Sequence, residues 1–361
     1  MISGNKGEWS EIYAFLRLLA DGKLHAANEQ MEQLHEMFFP IIKIIREETQ
    51  GEKYEYFAEK SEIKIYLNGE NLQNVSVQTF GEQADYLYNA INTGSSNIKV
   101  DKTETFIKSI YITKLKAPTA DKSDINIQLH DFRTGYESLV GFSIKSEIGS
   151  PPTLLNASKA TNFIYTVENL ADSHITAINS ISTRNKILDR MQAIQQNGGK
   201  LTFATTENAT FANNLAMIDS HMPLIISEML TIYYTENLAD LAELTARITT
   251  KNPLNRNTNF YRHKIKELLC AVALGLKPSA NWSGLDDVLG GYIIVKKNGD
   301  IVAYHIYNRD AFKEYLLANT KLERASTSRH DFASLYSENG EVRLKLNLQI
   351  RFKGTKNNTV S

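Results

Sequence analysis

Between Asp124 and Ser146 the sequence alternates apolar and polar residues as Asp124-Ile-Asn-Ile-Gln-Leu-His130, passes a turn-rich Asp-Phe-Arg-Thr-Gly, and resumes with the apolar run Ser138-Leu-Val-Gly-Phe-Ser-Ile-Lys145. A period of two on both sides of a short turn predicts a β-hairpin. A hairpin cannot bury its apolar side alone, so the chain must build a larger sheet and cover it with helices. The flanks predict the rest. Trp9, Ile12, Tyr13, Leu16, Leu19 and Ala20 have the spacing of an amphipathic helix ended by Asp21-Gly22. A second helix is expected near Asn28, with Pro40 interrupting it or opening the apolar run 41–45, where helix and strand are ambiguous. Lys64-Ile-Tyr-Leu reads as a strand and residues 82–91 and 104–112 as helices; Thr153 is expected to cap a short helix through Asn162, before a strand from Phe163. Residues 184–197 and 210–249 read as helical, with a strand over 200–205 between them. Gly291 to His305 reads as a second hairpin, whose Asn298-Gly299 suits a type I′ turn.

The fold class that follows is α/β: a mixed central sheet flanked by helices, with a C-terminal α+β lobe. At 361 residues two lobes are expected, and the Asn-rich stretch Lys251 to Arg256 is the natural linker. The division is therefore 1–250, 251–353 and a disordered tail, 354–361.

Composition removes several functions. A formal net charge of −1 gives no global attraction to a polyanion. Cys270, the one cysteine, lies in the apolar stretch Leu268 to Leu276, which leaves no intrachain disulfide and no thiolate metal cage. That stretch is also about half of what spans a bilayer. The start lacks an apolar signal region, so the cytoplasm is expected. Local charge is more telling: 251–266 carries five Lys/Arg and no acid, interleaved with Asn, Phe and Tyr. Arg262, Lys264 and Lys266 are candidate phosphate contacts, although a solvated helix face has the same composition.

The hairpin also carries the candidate chemistry. Asp131 ends its first strand, while Ser143, Lys145 and Glu147 share one face of its second. A lysine inside an apolar strand is costly unless paired or functional, and a carboxylate with a lysine on adjacent strands is what metal-assisted phosphodiester hydrolysis requires. Snorkelling from the strand end would explain Lys145 alone, and turn formation Asp131 alone. Glu8 and Glu11, in the first turns of the N-terminal helix, suit capping; Glu11, beside Ile12 and Phe15, is the preferred second acid, with Glu8 and Glu147 as competitors.

The strings Gly4-Asn-Lys-Gly-Glu-Trp-Ser-Glu-Ile-Tyr13, Gly141-Phe-Ser-Ile-Lys-Ser146 and Thr153-Leu-Leu-Asn-Ala-Ser158 resemble the HpaII-type family of Type II restriction endonucleases. The likeness continues through the segment from Tyr307 to Leu316 and through Leu346 to Phe352. It implies a PD-(D/E)xK nuclease core cutting double-stranded DNA with Mg²⁺ at a short palindrome such as CCGG, a cognate DNA methyltransferase as genetic partner, and a homodimer matched to two-fold-symmetric DNA. His130 stands where the motif has proline, and Ser143 where it has an acid. Glu11 resembles the Gly-xxx-Glu helix of resolvase-like nucleases and would replace that acid. On this resemblance Asp131, Glu11 and the carbonyl of Ile144 would hold Mg²⁺, Lys145 would orient or deprotonate water, and Ser143 would hold a metal-bound water. Base reading would fall to Arg324, Ser326, Ser328, Arg329 and His330, since bidentate donors recognise guanine. A DNA-binding protein with a degenerate nuclease centre, or a junction or repair nuclease, remain the competing functions.

Overall fold

A computed structural model describes residues 2–116, 123–305 and 308–354. The expected tail at 354–361 lies, beyond Gly354, outside the described residues. Chain contacts divide the protein discontinuously, into residues 1–152 with 286–315 and 354–361, and residues 153–285 with 316–353. The expected division at residue 250 was a linear cut; the hairpin near residue 300 instead joins the N-terminal unit.

The first unit begins with helix α1 (Lys6–Asp21), followed by strands β1 (Lys23–Ala27), β2 (Gln33–Thr49), β3 (Glu52–Ala58), β4 (Glu62–Leu67) and β5 (Glu70–Ser76). Helices α2 (Val77–Thr93) and α3 (Asp101–Ser109) precede the hairpin β6 (Ile125–His130) and β7 (Glu137–Ser146). A later hairpin, β8 (Gly291–Val295) and β9 (Ile301–His305), completes a nine-stranded sheet in the order β1-β9-β8-β7-β6-β2-β3-β4-β5. The sheet is mixed because β8 runs parallel to β7, and β9 to β1. Strand β1 also pairs with the first half of β2, so the hydrogen-bonded order returns on itself.

The helix expected near Asn28 is strand instead. Pro40 is tolerated within β2 opposite Lys23, and the run at 41–45 pairs with β6 and β3, which shows pairing overriding an ambiguous pattern. The turn between β8 and β9 is not type I′ either. Gly299 takes a positive φ of 90° and Asn298 does not, while Gly299 N donates to Lys296 O.

Asn5 caps α1, with reciprocal hydrogen bonds to Glu8, and its apolar stripe of Trp9, Ile12, Phe15, Leu16 and Leu19 is buried. Each such side chain contributes on the order of 2 kcal/mol. Phe15 meets Tyr56 edge to face at 4.8 Å, and Ser10 Oγ lies 2.9 Å from Ser146 Oγ, which ties the helix to the end of β7.

The second unit is α+β. Strands Asn162–Glu168, Lys200–Thr206, Leu335–Glu338 and Glu341–Asn347 form one sheet, and Thr153–Leu155, Thr320–Leu322 and Ile350–Phe352 a smaller one. Thr153 therefore opens a strand rather than a helix; the helical piece before Asn162 is one 3₁₀ turn, Lys159–Thr161. Among the described residues no single helix is long and apolar enough to cross a membrane.

Candidate active site

The two strands of an antiparallel hairpin run in opposite directions, so the end of one lies beside the start of the other. The register Ile125↔Phe142 to His130↔Glu137 places Ser143 and Lys145 next to Asp124, the residue just before β6. Asp124 Oδ2 accepts from Ser143 Oγ at 3.0 Å and from Ile144 N at 2.8 Å, while Lys145 Nζ donates to Ser143 Oγ at 3.0 Å. A continuous chain of hydrogen bonds thus runs from ammonium through hydroxyl to carboxylate. Lys145 also lies over the Tyr292 ring, 5.2 Å from its centroid.

Asp131 is at the opposite end of the hairpin. Seven residue steps of extended chain separate it from Asp124, about 23 Å at the usual strand rise. Its carboxylate shapes the turn: Oδ1 accepts from Arg133 N at 2.9 Å and Nε at 3.2 Å, and its carbonyl accepts from Gly135 N at 2.7 Å. Burial opposes its ionisation, but the Arg133 hydrogen bonds and charge outweigh that and hold the carboxyl below its usual range. Asp131 and Lys145 therefore do not converge, and the acid beside Lys145 is Asp124. The missed signal was the hairpin's own polarity: a lysine at the end of the second strand requires its partner at the start of the first.

Glu11 completes the cluster from α1. It lines, with Asp124, Ser123, Asn126, Gly141, Arg46 and others, a cleft of about 410 Å³. Burial, and then the charge of Asp124, push its carboxyl up to about 7. Glu11, which resists ionising beside the charge of Asp124, leaves a site electrostatically ready for a cation. Lys145 is shifted down by burial, with Asp124 and Glu11 opposing that shift. Glu8 is occupied by the cap, its Oε2 accepting from Asn5 N at 2.8 Å, and burial raises Glu147, whose carboxylate turns to the backbone of Lys297. Of the three competing acids, the structure brings only Glu11 to Asp124.

Beside the cleft Arg46 and Glu48 form a buried ion pair. Arg46 Nη2 donates to the carbonyls of Lys114 and Leu115, and Glu48 Oε2 accepts from Thr113 N and Oγ1 at 2.8 and 2.7 Å. The pair pins the segment leading to Lys116, whose charge acts on both Glu11 and Lys145.

Comparison with known proteins identifies the family of the chain. The family model described as HpaII restriction endonuclease matches residues 5–352. The chain belongs to the HpaII restriction endonuclease family. Type II restriction enzyme HpaII of Haemophilus parainfluenzae is 42% identical over 357 residues, covering 97% of this chain and 98% of that protein. No solved structure matches. Membership makes the chain a site-specific deoxyribonuclease with DNA as substrate, from a class of enzymes that generally use divalent metal ions.

The candidate DNA contacts of this HpaII-family chain all lie in the second unit. Arg262, Lys264 and Lys266 are on the helix Thr258–Leu274; Arg262 and Lys266 share a face, while Lys264 turns to Asp219 at 2.9 Å. Arg324 Nη2 donates to Asn237 Oδ1 at 2.8 Å. Ser326 caps the one-turn helix Thr327–His330 and lies 3.3 Å from Ser328 Oγ, with Arg329 exposed. His330 is held through its carbonyl, which accepts from buried Asn162 Nδ2 at 2.9 Å.

Proposed function

We propose that this chain cuts double-stranded DNA at CCGG with Mg²⁺, using Asp124, Glu11, Ser143 and Lys145. The observation that carries the reading is the chain from Lys145 Nζ through Ser143 Oγ to Asp124 Oδ2, with Glu11 facing the same aspartate across the cleft. Asp124, Glu11 and the carbonyl of Ile144 would hold the ion. Ile144 N already donates to Asp124, and the N–H and C=O of a strand residue share one edge. Among the described residues no group of three or more His, Cys, Asp or Glu forms a metal cage. Two carboxylates and a carbonyl are a hard, partly open donor set, which favours Mg²⁺ with retained waters over Zn²⁺. When bound, the ion supplies an activated water and neutralises charge developing on the phosphate.

The protein's residues do the rest. Lys145, its ammonium destabilised by burial, lies where it can orient or accept a proton from the attacking water and offset charge on the phosphoryl oxygens. Ser143 takes the place of a motif acid. It holds Lys145 to Asp124 without adding a third negative charge to a site where Glu11 already resists ionisation. Arg262 and Lys266 contact phosphates, and the Arg324 to His330 segment reads bases. A palindromic site is matched by a homodimer, and a cognate methyltransferase protects the cell's own copies in the cytoplasm. Incubation with phage DNA of known sequence, with and without Mg²⁺, tests the reading. Discrete fragments whose sequenced ends fall within CCGG are expected only with the metal; binding without cutting under any divalent metal would sink it.

A further inference from the structure

The cleft that holds Glu11 and Asp124 is lined by polar and apolar groups alike, and two of the most exposed large apolar side chains among the described residues are part of that lining. Leu139 is 54% exposed and Leu289 is 58% exposed. Leu139 lies on the same face of β7 as Gly141, Ser143 and Lys145, about 13 Å along the strand from Ser143. Leu289 is brought to that strand by its neighbour Gly290, whose N donates to Gly141 O at 2.8 Å. A Cβ at Gly290 would come within 2.8 Å of the Gly141 carbonyl and of the Phe142 ring, so the close approach needs glycine. Gly141 leaves a floor without a side chain between Leu139 and Ser143, and a Cβ there would meet Ser123 at 2.5 Å.

We infer that Leu139 and Leu289 contact the deoxyribose of the strand being cut, and that this apolar contact selects DNA over RNA. The inference rests on the nuclease reading above. A substrate strand entering the cleft presents anionic phosphates to the catalytic side chains and, between them, sugars whose 2′ carbon is apolar in DNA. Leucine cannot hydrogen-bond a 2′-hydroxyl, and that hydroxyl, held against Leu139 or Leu289, would lose its water partners without replacement. Rejection of one added hydroxyl by an apolar surface reaches about 10- to 100-fold.

The test uses the full chain with its divalent metal and a duplex containing the site it cuts. Single ribonucleotides are placed in turn at the two positions on either side of the cut. At one or more positions kcat/KM is expected to fall about tenfold or more relative to all-DNA duplex. Leu139→Ser and Leu289→Ser should narrow that ratio by about threefold or more, because each supplies a partner for the hydroxyl. A 2′-fluoro nucleotide, which favours the ribose pucker but lacks the hydroxyl, should be cut near the all-DNA rate at the same positions. Equal cutting of ribo-substituted and all-DNA duplexes by the unaltered protein overturns the inference. So does a ratio unchanged in both variants, or a 2′-fluoro penalty as large as that of ribose. Failure to cut all-DNA duplex would instead overturn the nuclease reading itself.

Discussion

The two ends of the β6–β7 hairpin each carry an aspartate with a cationic partner on the same hairpin, and they do different things. At one end Asp124 reaches its cation through an intervening serine, faces a second carboxylate, and opens on a cleft. At the other, Asp131 is closed on itself, with Arg133 two residues away satisfying its carboxylate through backbone and side chain. A paired, satisfied carboxylate organises structure. A carboxylate whose neighbours leave charge uncompensated is arranged for a ligand. The contrast lies in what each acid still lacks, which residue type alone cannot show.

Substitution should separate the two ends sharply. Asp124→Ala or Lys145→Ala is expected to reduce cleavage about a thousandfold or more while duplex binding in a gel-shift assay persists. If Asp131→Ala in a folded protein reduced cleavage as much, the assignment of the two ends would be reversed.

Glu11→Gln sharpens the comparison through pH. Cleavage should fall about a hundredfold. The folded carboxyl titrates at about 7 against 4.5 for an unperturbed glutamate, so the native state holds a proton that the unfolded chain has lost, and stability falls as pH rises through that window. The variant should therefore be more stable than its parent at pH 8 by on the order of 2 kcal/mol, and no more stable at pH 4. Urea melts of the metal-free protein at the two pH values measure this, and equal stability at pH 8 would remove the strain assigned to Glu11.

A smaller effect is expected of Gly141→Ala, which would push Ser123 and Asn126 at the Asp124 end. Overpacking of this kind costs about 1 to 3 kcal/mol, and displacement of the residue next to Asp124 should lower kcat more than it raises KM. An unchanged kcat would show that Ser123 moves without disturbing Asp124.

The smallest effect belongs to Asp131→Ala, expected to lower stability by about 1 to 2 kcal/mol at neutral pH and to leave the cleavage rate within about threefold. Because Asp131 titrates below its usual range, its contribution is present above the unfolded pKa and disappears as pH falls through the folded one. A thermal-melt series from pH 7 to pH 2 should show parent and variant converging at the acid end.

Much of the molecule was legible along the chain. The amphipathic stripe of α1, the alternation of β6 and β7 and the helices expected over 82–91 and 104–112 are local patterns; the first of those helices extends to Val77–Thr93 and the second forms three residues earlier, over Asp101–Ser109. Lys145 was legible for the same reason, as a charge misplaced in an apolar strand. Strand β2 was not, since Pro40 and a run of isoleucines are compatible with several backbones until β1, β6 and β3 supply partners. Glu11 could be favoured by its apolar neighbours, yet only the fold brings it to Asp124. Asp124 itself reads as an ordinary strand-leading residue, and its role depends on which residue of β7 it faces.

By itself, then, the sequence determined the hairpin, its covering helix, the lysine that must have a partner and the family to which the chain belongs. The tertiary structure decided which aspartate that partner is, because antiparallel pairing joins the start of one strand to the end of the next, and separation along the chain says nothing of that until the register is formed.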